Sequence, residues 1–218
     1  MQLSILSFQE DYPSIVTDLR FFIAEAAHYV MALNFQQEFE LLYIDLNQKP
    51  GGGIVGLKII RDAKKTMHPK IYDHLALINI SSVCATTISV HGKEKVLRDK
   101  HCYPSNSELM VIDGCMEDYE FFKKNLLPVS RQFLLQPLQT EWNTIISAFN
   151  FFLMDGVWEA ISFVASFIVQ NRRDLGISHS QLFEQLCIQD FYPMLCSSME
   201  SFLNLRYPLS KESLKFSL

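Results

Sequence analysis

Apolar residues in this chain fall into short runs separated by turn-forming clusters. The run LSILSF (3–8) reads as a short buried strand, and Pro13 then stands where helices begin, ahead of Ile15, Val16, Leu19, Phe22 and Ile23 at helical spacing. HYVMAL (28–33) reads as a second strand and FELLYIDL (39–46) as a stronger one that closes on Asp45. Beyond a glycine loop, Ile54, Leu57, Ile59 and Ile60 alternate with Lys58, Arg61, Asp62, Lys64 and Lys65 as on a helix with one buried stripe, which His68-Pro69 stops. LALINI (75–80) and RQFLLQP (131–137) supply two more strands, and a helix is expected from Thr140.

Strands alternating with helices predict a parallel α/β sheet. The stretch 83–115 breaks the rhythm: TTISVHGKEKVL alternates about a His91-Gly92 turn and reads as a hairpin inside an insertion. From about 154 onward the pattern is apolar and helical. VWEAISFVASFIV and SQLFEQLCIQDFYPMLCSSMESFLNL are the candidate helices, with Gly176 between them and Pro193 expected to kink or break the second. The predicted organisation is therefore an α/β domain over 1–150 and an α-helical region over 151–218.

Composition narrows the classes. With 49% hydrophobic and 20% charged residues, 17 of them Phe, the chain is that of a folded globular protein. A net charge of −5 and a sequence pI near 5.7 argue against a broad electrostatic footprint for nucleic acid or an anionic membrane. Cys84, Cys102, Cys115, Cys187 and Cys196 are odd in number and lack a C-x-x-C pair, which favours reduced thiols over a disulfide framework or zinc ribbon. The opening MQLSILSFQEDYP has no basic region and reaches Glu10 and Asp11 early, against a secretory signal, so a cytoplasmic protein is expected. The greasiest segment, IISAFNFFLMDGVWEAISFVASFIV, is interrupted by Asp155, Gly156 and Glu159, and buried helices rather than a membrane crossing are expected from it.

Gly51-x-Gly53-x-x-Gly56 has the spacing of a dinucleotide fingerprint. That motif needs a strand running straight into the first glycine and an acidic end on the next strand. Here NQKP intervenes and the next expected strand ends in Ser81 and Ser82, so a plain turn fits the loop better. Glu10-Asp11, Asp45, the serines and the X-Pro at 136–137 all fall at C-terminal ends of expected strands, the edge where open α/β sheets build sites.

These pieces, in this order, resemble the receiver domain of bacterial response regulators. ILSFQEDYPSIVTDLRFFI is similar to that family's first strand, acidic pair and first helix; ELLYIDLNQKPGGGIVGLKIIRDAKK to its central strand, phosphoacceptor Asp and third helix; LALINISS to the strand ending in Thr or Ser; and RQFLLQPLQTEWNTIISAF to its last strand and helix. The resemblance implies a doubly wound, five-stranded parallel sheet of the flavodoxin and receiver type, with the insertion after the fourth strand. It also implies Asp45 as the phosphorylated nucleophile, Glu10, Asp11 and Asp45 around Mg²⁺, and a Ser81 or Ser82 hydroxyl on the phosphoryl group. Gln136 stands where the family has a lysine, and a neutral amide cannot supply that charge.

The expected function is that of a degenerate receiver-like signalling protein, not an enzyme, working by protein–protein contact with a histidine kinase or regulatory partner. The alternative is a phosphorylation-independent adaptor within a larger assembly. The C-terminal helices are the expected dimerisation or docking region, and their charge balance disfavours nucleic acid. His91, His101, Cys84 and Cys102 show no standard metal spacing.

Overall fold

The computed structural model describes residues 13–45, 54–60, 69–102, 110–111, 115–129, 137–171 and 176–206. Helix α1 (Pro13–Ala32) runs through a short 3₁₀ turn into β1 (Phe39–Asp45) and β2 (Ile54–Ile59). Then come α2 (Pro69–His91), α3 (Lys93–Asp99) and α4 (Met116–Phe121), the last continued by a π-helical stretch over Phe122–Leu126. The order closes with α5 (Pro137–Phe152), α6 (Val157–Gln170), β3 (Ile177–Ser178), α7 (His179–Ile188) and α8 (Phe191–Arg206).

The expected five-stranded parallel sheet is corrected by this architecture. Helices dominate the described residues, and their sheet has three strands, in the order β2-β1-β3, paired antiparallel throughout. Two of the expected strands are helical. Residues 28–32 form the last turns of α1 and Leu33 opens the 3₁₀ turn after it, with Tyr29, Val30, Met31, Ala32 and Leu33 all buried, and 75–80 lie inside α2. A short apolar run has no periodicity that tells a buried strand from a buried helix, so neighbouring residues decide. Ala24, Ala26 and Ala27 carry helix into the first run. The second is only part of a 23-residue helix whose Ile71, Ile78, Ile80, Val83 and Ile88 are buried, so packing overrides its β-branched content.

The expected helix after the glycine loop is likewise corrected. Residues 54–59 are β2, in register with β1 from Phe39↔Ile59 to Asp45↔Ile54, with an irregularity between Leu41 and Tyr43. Lys58 sits opposite Glu40 and its ammonium lies 2.9 Å from that carboxylate. Gly56 sits opposite Tyr43, and a Cβ there would come within 2.9 Å of the phenol ring, so this glycine makes room for a cross-strand aromatic. The expected hairpin at 86–97 is also helical: α2 runs to His91, Gly92 breaks it at φ 83°, and α3 starts at Lys93. Residues 3–8 and 131–136 lie outside the described residues.

The C-terminal helices follow the sequence pattern closely. Gly156, at φ 76°, starts α6, which is bent by 82° from α5. Ser178 caps α7 through a capping box with Gln181. The break between α7 and α8 falls at Asp190, which takes φ 58°, while Pro193 sits in the first turn of α8, where it displaces no helical hydrogen bond.

Helix α2 is the axis of the fold, packed by α1, α5 and α4, while α6 covers the other side of α1 and α8 lies across α5, α6 and α7. Ile71–His91 is long and apolar enough to cross a membrane by length and composition, with 72% of that window buried inside the protein, as a core helix would be.

The C-terminal end of α8 is locked to that axis. The Arg206 guanidinium donates to Asp73 Oδ1 at 2.7 Å, to the Asn143 carbonyl at 3.1 Å and to Ser147 Oγ at 2.9 Å. Both charged side chains are nearly buried, at 12% and 11% exposure, so removing one partner leaves the other charge in a poor solvent. Arg206→Ala is expected to cost about 3 kcal/mol in urea unfolding. A loss below about 0.5 kcal/mol would show the lock to be no stronger than a surface pair.

Candidate functional site

Asp45 is the last residue of β1, the central strand of the small sheet, next to buried Ile44. Ser81 and Ser82 are fully buried in α2, where their hydroxyls donate to the Ile78 carbonyl at 2.5 Å and the Asn79 carbonyl at 3.3 Å. Neither serine stands at a strand end, because there is no strand there. Glu10, Asp11 and Gln136 lie outside the described residues, as do Gly51 and Gly53. The Mg²⁺ site implied by Glu10, Asp11 and Asp45 therefore has only Asp45 within the described structure. Among the described residues no group of three or more His, Cys, Asp or Glu is arranged to hold a metal ion.

The chemistry-bearing residues that do converge lie where α1, α2 and α4 meet. Glu25 and His28 are one helical turn apart on α1, Ser82 and Thr86 lie on α2, and Cys115 and Asp118 open α4. His28 Nε2 is 3.5 Å from Asp118 Oδ2 and His28 Nδ1 is 3.9 Å from Glu25 Oε2, so the ring sits between two carboxylates. Burial pushes the imidazole toward its neutral form. The Asp118 charge, followed by Glu25 and the Asn79 backbone, outweighs it and raises the pKa to about 9. His28 is then a buried cation at neutral pH.

Thiol, imidazole and carboxylate are the residue types of nucleophilic catalysis, yet the thiol is tuned the wrong way. Cys115 Sγ lies 3.4 Å from Thr86 Oγ1, and burial, reinforced by Asp118 and Glu25, raises its pKa to about 11 despite the hydroxyls of Thr86 and Ser82. Burial, then Cys115, pushes the Cys84 thiol well up too. An activated cysteine needs the opposite shift. What the arrangement does is tie α4 to α1 by charge and to α2 through the Thr86–Cys115 hydrogen bond. Sequence reading missed it by placing His28 in a strand; the available signal was Glu25 and His28 at i,i+3 in an otherwise apolar run.

A second polar contact joins α1 to α7. Tyr29 Oη and His179 Nδ1 are 3.0 Å apart, with burial raising the phenol pKa and lowering that of the imidazole, so both stay neutral.

The remaining feature is a groove of about 200 Å³ between α1, α2 and α6. Leu19, Ile23, Ile88, Trp158 and Ala165 form its apolar walls, and Lys93, beside Gly92, stands at its rim 3.6 Å from Glu159. No sequence signal marks it, because its walls come from three distant segments that each read as ordinary apolar stripes.

Compared with known proteins, the chain matches no family model, no curated protein and no solved structure.

Two outcomes follow from the buried cluster. His28 binds its proton more tightly folded than unfolded, so its contribution to stability is complete below pH 6.5 and is lost as pH rises through about 9. Urea unfolding from pH 6.5 to 9.5 should show a loss on the order of 3 kcal/mol, and His28→Gln should flatten that slope. In native protein treated with a thiol reagent, intact mass should show labelling at exposed Cys102, Cys187 and Cys196, with Cys84 and Cys115 reacting only after denaturation. Rapid native labelling of Cys115 would reinstate it as a candidate nucleophile.

Proposed function

We propose that this chain works by non-covalent binding, as an adaptor that docks through the outer face of α7 and α8, and that its occupant there is a second copy of the chain. The observation that carries the reading is the apolar surface that α7 and α8 leave exposed, beside the Phe191, Tyr192, Met199 and Leu203 that pack on the core. Of its sixteen residues only Leu195 and Phe202 are buried. Met194 and Leu205 are 47% and 74% exposed, and Ile188, at the end of α7, is 59% exposed.

Met194 and Leu205 are separated by three helical turns to within about 20°, so they share one side of the helix. Ser198 and Ser201 lie between them on that side. A face with large apolar side chains and small uncharged residues between them has the charge-poor character of an interface core. A two-fold pairing would let the same patch meet itself, as closed homodimers require.

Light scattering on a size-exclusion column, from micromolar to submillimolar protein, tests this directly. The expected result is a concentration-dependent dimer that Leu205→Glu or Met194→Glu shifts to monomer, with circular dichroism unchanged. A monomer at every concentration overturns self-docking through this face.

A further inference from the structure

The groove between α1, α2 and α6 is separate from the α7–α8 face, and its composition is that of a small-ligand site. We propose that it binds a medium-chain monocarboxylate of about the size of octanoate, with the alkyl chain along the apolar walls and the carboxylate on Lys93. Leu19 and Ile23 come from α1, Ile88 from α2, and Trp158 and Ala165 from α6, so the walls are contributed by three segments distant in sequence. At about 200 Å³ the space is below the range of drug-sized pockets, too small for a row of side chains from a docking helix and suited to one short chain.

The polar groups of the lining are unequal: Ser89, Ser162 and Ser166 bring neutral hydroxyls and Lys93 a charge. Ser89 and Ser166 donate their hydroxyls back to the carbonyls of Thr86 and Ser162, at 2.7 and 2.8 Å, so as donors they are already engaged. Lys93 is the cation among the lining residues, and the Glu159 carboxylate that faces it is 52% exposed. Such a pair is weak and readily exchanged for another carboxylate that also brings apolar surface. Gly92, beside Lys93, holds φ 83°, and the space about its Cα is open, with nothing within 4 Å of a Cβ position. One charge beside a mainly apolar lining suits an amphipathic monoanion, and a diacid or a sugar would leave polar atoms against Ile23 and Ile88.

The chain has two tryptophans, Trp142 and Trp158, so the wild-type nitrogen–proton correlation spectrum carries two indole signals. Trp158→Phe identifies the one in the groove. Titration with octanoate should move that signal saturably, with Kd on the order of 1 mM or tighter for a ligand of this size. Octanol, or octanoate with Lys93→Gln, should bind about fivefold more weakly, as the loss of one partly exposed charge contact implies. Ala165→Phe, which fills the slot, should abolish the shift. Lys93 is at the surface, so the Gln variant remains informative even where the Phe variant fails to fold. No saturable movement overturns the proposal. Equal binding of octanol and octanoate also overturns it, because the rim charge would then not be read and the slot would be only a place for an apolar side chain of another protein.

Discussion

A helix buried along nearly its whole length sets the terms for everything around it. In α2 the apolar residues need only be covered, but Asp73, His74, Ser81, Ser82, Thr86 and Thr87 are buried too, and each must find a partner inside the protein. Ser81, Ser82, Thr87 and Ser89 solve this locally by donating to carbonyls three or four residues earlier. The others reach outward. Asp73 takes Arg206 of α8 and Thr86 meets Cys115 at the start of α4, while the Thr87 hydroxyl, besides donating to Val83, accepts the Val111 N–H at 3.0 Å. His74 stacks on Phe35 with ring centroids 4.0 Å apart. Covering α2 with apolar residues alone would permit many rotations about it; these polar contacts select one.

Two buried charge clusters act at opposite ends of that scheme. Arg206 with Asp73 holds the C-terminal helix, and His28 with Glu25 and Asp118 holds α4. Desolvation makes such clusters poor sources of net stability, so their contribution here is to specify which element lies where. They differ in kind: a guanidinium stays charged at any working pH, whereas the imidazole depends on the two carboxylates to keep its proton.

The parts of the fold legible in sequence were those with an unambiguous period or a strong boundary. β1 is short, ends at Asp45 and follows a clear helix; α6, α7 and α8 carry long helical stripes with Gly156 and Ser178 at their starts. The illegible parts were buried on all sides. HYVMAL and LALINI are as apolar as a central strand, and only length distinguishes the helices they belong to. Once 75–80 is read as a strand, Ser81 becomes a strand-end hydroxyl, Asp45 gains a partner, and a parallel sheet assembles from fragments that are each weak. The candidate site was lost by the same step, since His28 and Glu25 share a face only if the backbone there is helical.

The smallest element in the fold, the two-residue β3, has an effect on folding order. It completes the sheet by pairing Ile177 and Ser178 with Ile44 and Tyr43, more than 130 residues away along the chain. Until that late segment arrives, the β1–β2 hairpin has a bare edge beside Ile44, open to any extended strand nearby. Sheet closure is therefore a long-range event, with its loop-closure cost met only when residues 177–178 reach β1. During synthesis the hairpin carries a bare edge until Ile177 and Ser178 have emerged, and α7, which follows them and packs on β1, acts as its cover as much as its neighbour.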